Sequence, residues 1–249
     1  MAAEVQELFE KIRCAGHCVA LTGAGVSTLS GIRDFRGKNG LYNDMDAEKI
    51  FDIGYFEKDP EFYYRAAGSF IYNIDDKEAS VVHLVLADLE HRGFLKALIT
   101  QNIDLLHEKG GSKKVIEIHG SPRIHYCLRC SGIRMPFAEA AALVRSGDFP
   151  RCPKCGRILK PAITFFGESL PVEALQEASG EAQKADLMLV LGTSLTVHPA
   201  ASLPNYTLRN GGELVIVNNM PTPMDRLASL RFDDLQEVFE GLKKALEIL

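Results

Sequence analysis

The feature that most constrains this chain is an event repeated five times along it. A short apolar run stops abruptly at small, hydrogen-bonding residues. Cys18-Val19-Ala20-Leu21 stops at Thr22-Gly23, Ala97-Leu98-Ile99 at Thr100-Gln101-Asn102, and Val115-Ile116-Glu117-Ile118 at His119-Gly120. Leu187-Met188-Leu189-Val190-Leu191 stops at Gly192-Thr193-Ser194, and Leu214-Val215-Ile216-Val217 at Asn218-Asn219. Runs this short read as buried strands rather than helices. Helical periodicity fills most of the gaps, for example over Val81 to His91 and Pro171 to Ala185. An amphipathic helix opens the chain, with Val5, Leu8, Phe9 and Ile12 on one face. Apolar strands alternating with helices predict an α/β fold whose parallel sheet is covered on both faces.

Ligands of such sheets bind at the carboxyl ends of the strands. Ordinary loop polarity would supply Lys and Glu freely. These ends instead carry glycines, hydroxyls, amides, one imidazole (His119) and one carboxylate (Asp104). That selection predicts a single ligand site assembled from five strand ends. Two segments break the alternation. Residues 37–76 are aromatic and acidic and read as a loop followed by short helices, and 123–160 hold four cysteines. They are expected to pack together as a smaller domain beside a main domain of 1–36, 77–122 and 161–249.

Composition removes several function classes. Hydrophobic residues make up 46% of the 249 and the net charge is −5. This is a globular balance without the basic excess of a general nucleic-acid binder. No apolar run approaches the roughly 18 residues of a membrane span. Glu4, Glu7, Glu10, Lys11 and Arg13 interrupt the first residues, so no export signal is read there. The expected compartment is the cytoplasm. Disulfides are then disfavoured, and Cys127-x-x-Cys130 with Cys152-x-x-Cys155 reads as a tetrahedral metal site. Four thiolates suit zinc, with an iron–sulfur cluster as the alternative, and leave no open position, so the metal is expected to be structural. Cys14 and Cys18 are read as buried small apolar residues.

Thr22-Gly23-Ala24-Gly25-Val26-Ser27 comes after the first strand and reads as a turn that lets backbone approach a pyrophosphate. A dinucleotide dehydrogenase would want a third glycine where Thr28 stands, and an acidic residue at a second strand end. Asp44 and Asp46 have the right spacing but lie in a predicted loop. The loop continues Leu29-Ser30-Gly31-Ile32-Arg33-Asp34-Phe35-Arg36-Gly37. Together with Thr100-Gln101-Asn102-Ile103-Asp104-Leu105-Leu106-His107, Ile118-His119-Gly120-Ser121, the two cysteine knuckles, Phe165-Phe166-Gly167-Glu168, Gly192-Thr193-Ser194 and Val217-Asn218, this resembles the sirtuins, NAD-dependent protein lysine deacylases, and most closely their compact bacterial and archaeal members.

The resemblance implies a Rossmann-like NAD domain, a small zinc-bearing domain, and a cleft between them for NAD and an acetylated-lysine peptide. Gly23, Ala24, Gly25, Thr28, Phe35 and Arg36 would line the cofactor loop. Gln101, Asn102, Ile103 and Asp104 would surround nicotinamide and its ribose. Gly192, Thr193, Ser194 and Asn218 would hold the adenosine half, with backbone near Leu235 close to the adenine. Phe166, Gly167, Glu168, Thr196 and Val197 would sandwich the peptide. His119 would be the general base, with Asn102 and Asp104 orienting the ribose and carboxamide. Nicotinamide, deacylated lysine and 2′-O-acyl-ADP-ribose would be the products. Arg33, Thr164 and His198 depart from the family pattern. Sirtuins that prefer succinyl or malonyl lysine carry a tyrosine three residues before an arginine; here Phe62 precedes Arg65 at that spacing, so acetyl is the expected acyl group. ADP-ribosyl transfer to protein, or NAD binding without catalysis, are the alternatives on the same fold. His17, His83, His91, His107, His125 and His198 are read as structural or solvated. The last helical pattern, with Leu235, Phe239, Leu242 and Leu246 on one stripe, is read as core.

Overall fold

The computed structural model describes residues 3–35, 37, 40–43 and 47–248. Among the described residues the strands are β1 (Cys18–Thr22), β2 (Leu95–Thr100), β3 (Val115–Glu117), β4 (Gly120–Tyr126), β5 (Arg134–Pro136), β6 (Lys160–Ile163), β7 (Leu187–Leu191), β8 (Glu213–Val217) and β9 (Leu230–Phe232). Six of them form one parallel sheet in the order β3-β2-β1-β7-β8-β9. The order reverses direction between β1 and β7, which is the doubly wound Rossmann arrangement with its switch point there. Every residue of β1 and β7 is buried, as continuous apolar runs in a two-sided sheet require.

Helices cover both faces. On one, Val5, Leu8, Phe9 and Ile12 of the helix Ala3–Cys14 join Val85, Leu86 and Leu89 of Val81–His91 and Phe239, Leu242 and Leu246 of Leu235–Glu247. On the other, Ala178 and Ala182 of Val172–Lys184 and Leu203 of Leu203–Arg209 pack on Val19, Leu21, Met188, Val190 and Ile216. The five strands and these helices lie where periodicity puts them. Leu235 is half-buried while the rest of its stripe is core. One expectation fails. Cys18 is fully buried, but Cys14 is exposed at the end of the first helix, because its neighbour Ile12 supplies the last buried turn.

A second sheet, β5-β4-β6, is antiparallel. Neither it nor β9 is legible in the apolar pattern. β9 is three half-buried residues at a sheet edge, and β4 mixes Arg123 and His125 with Ile124. A separate core unites residues 50–72 with 135–165. Phe51, Phe56, Tyr63, Tyr64 and Tyr72 pack there against Ile158, Ile163 and Phe165. Phe51 and Phe165 meet edge to face at 5.8 Å, and Phe56 and Phe165 at 5.5 Å. Backbone bonds from Phe166 N to Phe51 O (2.6 Å) and from Ile53 N to Phe166 O (3.1 Å) tie the two segments together. No helix among the described residues is long and apolar enough to cross a membrane.

Candidate active site

The site begins at the switch point. Strands β1 and β7 run side by side, and their exits diverge through Gly23-Ala24-Gly25 and Gly192. Gly25 N donates to Gly192 O at 2.9 Å, and Gly23 N to Leu191 O at 3.0 Å. A Cβ on Gly23 would stand 2.7 Å from Thr193 Cβ, and one on Gly25 would stand 2.7 Å from Gly192 Cα. The glycines are therefore needed for this close passage of two backbones. The passage opens a cleft of about 860 Å³ bounded on its far side by the aromatic core.

Seventeen of the predicted residues line that cleft: Gly23, Ala24, Gly25, Phe35, Gln101, Asn102, Ile103, Asp104, His119, Phe166, Gly167, Glu168, Gly192, Thr193, Ser194, Val197 and Asn218. Three sit off it. Thr28 turns its hydroxyl back to Gly25 O at 2.8 Å, Thr196 bonds to Ser194 across 2.8 Å, and Leu235 packs beside the first core. Arg36, Asp44 and Asp46 lie outside the described residues.

The strand ends are wired together beneath the cleft. Thr22 Oγ1 donates to Thr100 Oγ1 at 2.8 Å, and Thr100 Oγ1 accepts from Asn102 N at 3.1 Å. Asn102 Nδ2 donates to Gly23 O (3.1 Å) and Ser27 Oγ (3.2 Å). Ser27 Oγ in turn donates to Asp104 Oδ2 at 2.6 Å, while Asp104 Oδ1 accepts from Leu106 N at 3.0 Å. Asp104 is thus held at both oxygens, which fixes where its remaining lone pairs point. Leu105, just after it, has φ 63°, and Leu195, just after Ser194, has φ 53°. A leucine in the left-handed region is costly, and both mark places where site geometry overrides backbone preference.

Sequence reasoning misses Ser27, because a serine in a glycine loop invites a reading only as a nucleophile. It misses His107 because nothing local signals a buried partner. Its Nε2 lies 2.9 Å from Thr22 Oγ1, and its ring is 4.7 Å from that of His83. Burial pushes the pKa of both rings down, so both are neutral at pH 7.

His119 differs from them by facing the cleft. Its Nδ1 lies 2.9 Å from the carbonyl oxygen of Gln101. A carbonyl only accepts, so Nδ1 carries the hydrogen and Nε2 keeps its lone pair. Burial lowers the His119 pKa, and the Gln101 bond opposes that in part. The imidazole is accordingly a neutral base at physiological pH.

The four cysteines meet at the end of the antiparallel sheet. Their Sγ atoms lie within 4.8 Å of one another, and Cys127 Sγ and Cys155 Sγ are 3.6 Å apart. Tetrahedral zinc with Zn–S bonds of about 2.3 Å needs sulfurs about 3.8 Å apart, so the quartet fits it. Cys130 N donates to Cys127 Sγ at 3.3 Å, and buried Leu159 closes the inner side.

Comparison with known proteins agrees with this architecture. The Sir2 family model matches residues 23–199. The chain is 43% identical over 244 residues to an NAD-dependent protein deacetylase of Thermotoga maritima, covering 98% of each. It superposes with a TM-score of 0.91, at 43% identity and 98% coverage of each chain, on a Sir2 structure with deacetylated p53 peptide and 3′-O-acetyl-ADP-ribose. A Sir2–p53 peptide–NAD+ structure gives 0.87 at 42% identity, again with 98% of each chain covered. The chain belongs to the Sir2 family.

Proposed function

We propose that this protein is an NAD-dependent protein lysine deacetylase that passes the acyl group of an acetylated lysine to ADP-ribose and releases nicotinamide. The observation that carries the reading is the His119 imidazole. Its tautomer is set by Gln101 O, and it stands in one cleft with Asn102 and Asp104. Relatives named deacetylases and the solved complexes with NAD and p53 peptide support the same reading.

When bound, NAD supplies the electrophilic ribose carbon and the nicotinamide leaving group. The glycine passage at Gly23, Gly25 and Gly192, which closes only because no Cβ stands between the two backbones, would hold its pyrophosphate at the strand ends. Asp104, pinned by Ser27 and Leu106 N, accepts from the carboxamide. Asn102, pinned by Gly23 O, orients the ribose. Such fixed orientation removes entropy from the barrier before chemistry starts. Asn218 and Thr193 hold the adenosine end, and Gln101 Nε2 steadies Thr193 Oγ1 at 3.0 Å. His119 takes a ribose hydroxyl proton at Nε2. Phe35, Ile163 and Phe165 form an apolar wall that excludes water from the acyl group, and Phe166 to Glu168 and Val197 hold the peptide. Cys127, Cys130, Cys152 and Cys155 would hold zinc, which would keep the small antiparallel sheet folded.

Two further assignments belong to this reading. Residues 37–76 and 123–160 act as one small domain, supported by their shared aromatic core. The enzyme works in the cytoplasm, where cysteine thiols stay reduced and able to bind metal. The test incubates the protein with an acetyl-lysine peptide, with and without NAD. Mass spectrometry should find deacetylated peptide, nicotinamide and O-acetyl-ADP-ribose in equal amounts only with NAD. ADP-ribose left on protein instead would replace deacetylation with transfer.

A further inference from the structure

Among the described residues, Lys160 is the one lysine in the aromatic core region that has no surface. It opens β6, the strand that runs into the Phe165–Glu168 turn, and its side chain is 1% exposed. All three ammonium hydrogens are used. Nζ lies 2.8 Å from Glu168 Oε2 and donates to Ile163 O at 2.7 Å and Pro161 O at 3.2 Å. The same nitrogen sits over the Phe165 ring, 4.1 Å from its centroid. Glu168 Oε2 also accepts from Phe165 N at 2.7 Å. One buried cation therefore grips both ends of a four-residue turn.

That turn faces the cleft from Phe165 to Glu168, whereas Lys160 does not reach it. Its other fastening is at Phe166, which exchanges backbone bonds with Phe51 and Ile53. Gly167 has φ 90°, so the turn has a single shape that only glycine adopts readily. A peptide docking as an added strand needs the N–H and C=O groups of its neighbour in fixed register. Burying an ion pair costs desolvation, and an apolar residue of similar size would often be as stable. Burial lowers the Lys160 pKa while Glu168 opposes the change. Stability is thus a weak reason for a charge at this place, and geometry is a better one.

We infer that Lys160 is a positioning residue for substrate: its ammonium, clamped on Glu168 and over the Phe165 ring, sets the turn on which the backbone of an acyl-lysine peptide docks. The inference rests on the deacetylase reading and adds a residue that touches neither peptide nor NAD. Without the ammonium, Glu168 keeps one donor, Phe165 N, and is free to swing toward water. The rim then loses its register while the NAD half of the cleft, built on β1 and β7, is untouched.

The test measures KM for acetyl-peptide and for NAD separately, with kcat and thermal melting, for Lys160→Met, Lys160→Gln and Lys160→Arg. A misplaced rim should raise peptide KM about tenfold in the Met variant, with KM for NAD within about twofold. Arg keeps a cation with forked donors and should recover most of the peptide affinity, while Gln should fall between. If Met does not fold, the Gln and Arg pair carries the comparison. Unchanged peptide KM in Met and Gln would overturn the inference. So would equal rises in both KM values, which would make Lys160 a general fold residue. Inactivity of the unmodified protein on every acetyl-peptide would sink the deacetylase reading instead, so the two failures are distinct.

Discussion

The carbonyl oxygen of Gln101 and Nδ1 of His119 are 2.9 Å apart, and this one bond decides which nitrogen of the imidazole can act as a base. It also joins the end of β2 to the end of β3, two strands that pair in the sheet. The imidazole is therefore aimed by the same register that forms the fold.

His119→Ala should lose deacetylation by about 10²–10⁴-fold, the usual worth of a positioned proton acceptor. NAD affinity should change little, because the glycine passage at Gly23 and Gly192 does not include the ring. The His119 pKa is lowered by burial, so the neutral form persists below the ordinary histidine value. On this basis kcat/KM should rise with pH through a midpoint below about pH 6.5. Titration calorimetry for NAD, beside a pH–rate profile, checks both parts; near-normal turnover by the variant would point to another base.

Ser27→Ala removes the 2.6 Å bond that holds Asp104 Oδ2. A hydrogen bond to a charged group contributes about 1.5–3 kcal/mol, so nicotinamide exchange should slow by about ten- to a hundredfold. Asp104→Ala should slow it more. Isotope exchange with labelled nicotinamide is the measurement. Equal exchange in Ser27→Ala and the unmodified protein would show that Asp104 needs no such support.

Cys152→Ala should lose metal and melt the small antiparallel sheet rather than only slow turnover. With four thiolates closing the site, binding energy is folding energy. Plasma emission spectrometry should find about one zinc per chain in the unmodified protein and much less in the variant, with a lower Tm. Full zinc and an unchanged Tm would refute the site.

Acetyl-lysine peptides should be turned over with at least roughly tenfold higher kcat/KM than matched succinyl peptides, since specificity for a carboxylate requires a completed polar pair. Arg65 cannot supply one from where it lies. Its guanidinium is exposed, bonds Glu61 at 2.9 Å and forms an ion pair with Asp59 at 3.7 Å, while Tyr63 and Tyr64 are buried in the aromatic core. Equal rates on the two peptides would make Arg33, which does line the cleft, the next side chain to replace.

Stability should fall as pH drops from about 6.5 toward 4. His125 is buried, with Tyr72 OH 2.8 Å from Nε2, and burial together with the Lys160 charge lowers its pKa to about 4. Between those values the unfolded chain holds one more proton at this residue than the native state. Stability is therefore full above about 6.5 and is lost at about 1.4 kcal/mol per pH unit below it. Buried His83 and His107 act with the same sign. Denaturant titrations at several pH values check this, and His125→Gln should flatten the slope by about one proton. An unchanged slope would place the acid sensitivity elsewhere.

By itself the sequence determined the layers and the chemistry at their ends. Continuous apolar runs at β1, β2, β7 and β8 can only be strands buried on both faces, and the polar residues that end each run stand directly beside it in the chain. Paired Cys-x-x-Cys knuckles are equally local, so the metal quartet was readable. Strand order was decided only by the tertiary structure. It sets β1 beside β7 and so brings Gly25 N within 2.9 Å of Gly192 O, although the two residues are far apart in the chain. The partners of Asp104 were decided there too, because a serine 77 residues away carries no local mark of the bond. Lys160 is the extreme case. Composition assigns a lysine to the surface, and only the arrival of Glu168, two backbone carbonyls and the Phe165 ring makes a buried ammonium tolerable. Local periodicity comes from backbone geometry and is visible in a string of letters. Long-range pairing depends on which surfaces exclude water together, and that is settled only when the chain closes on itself.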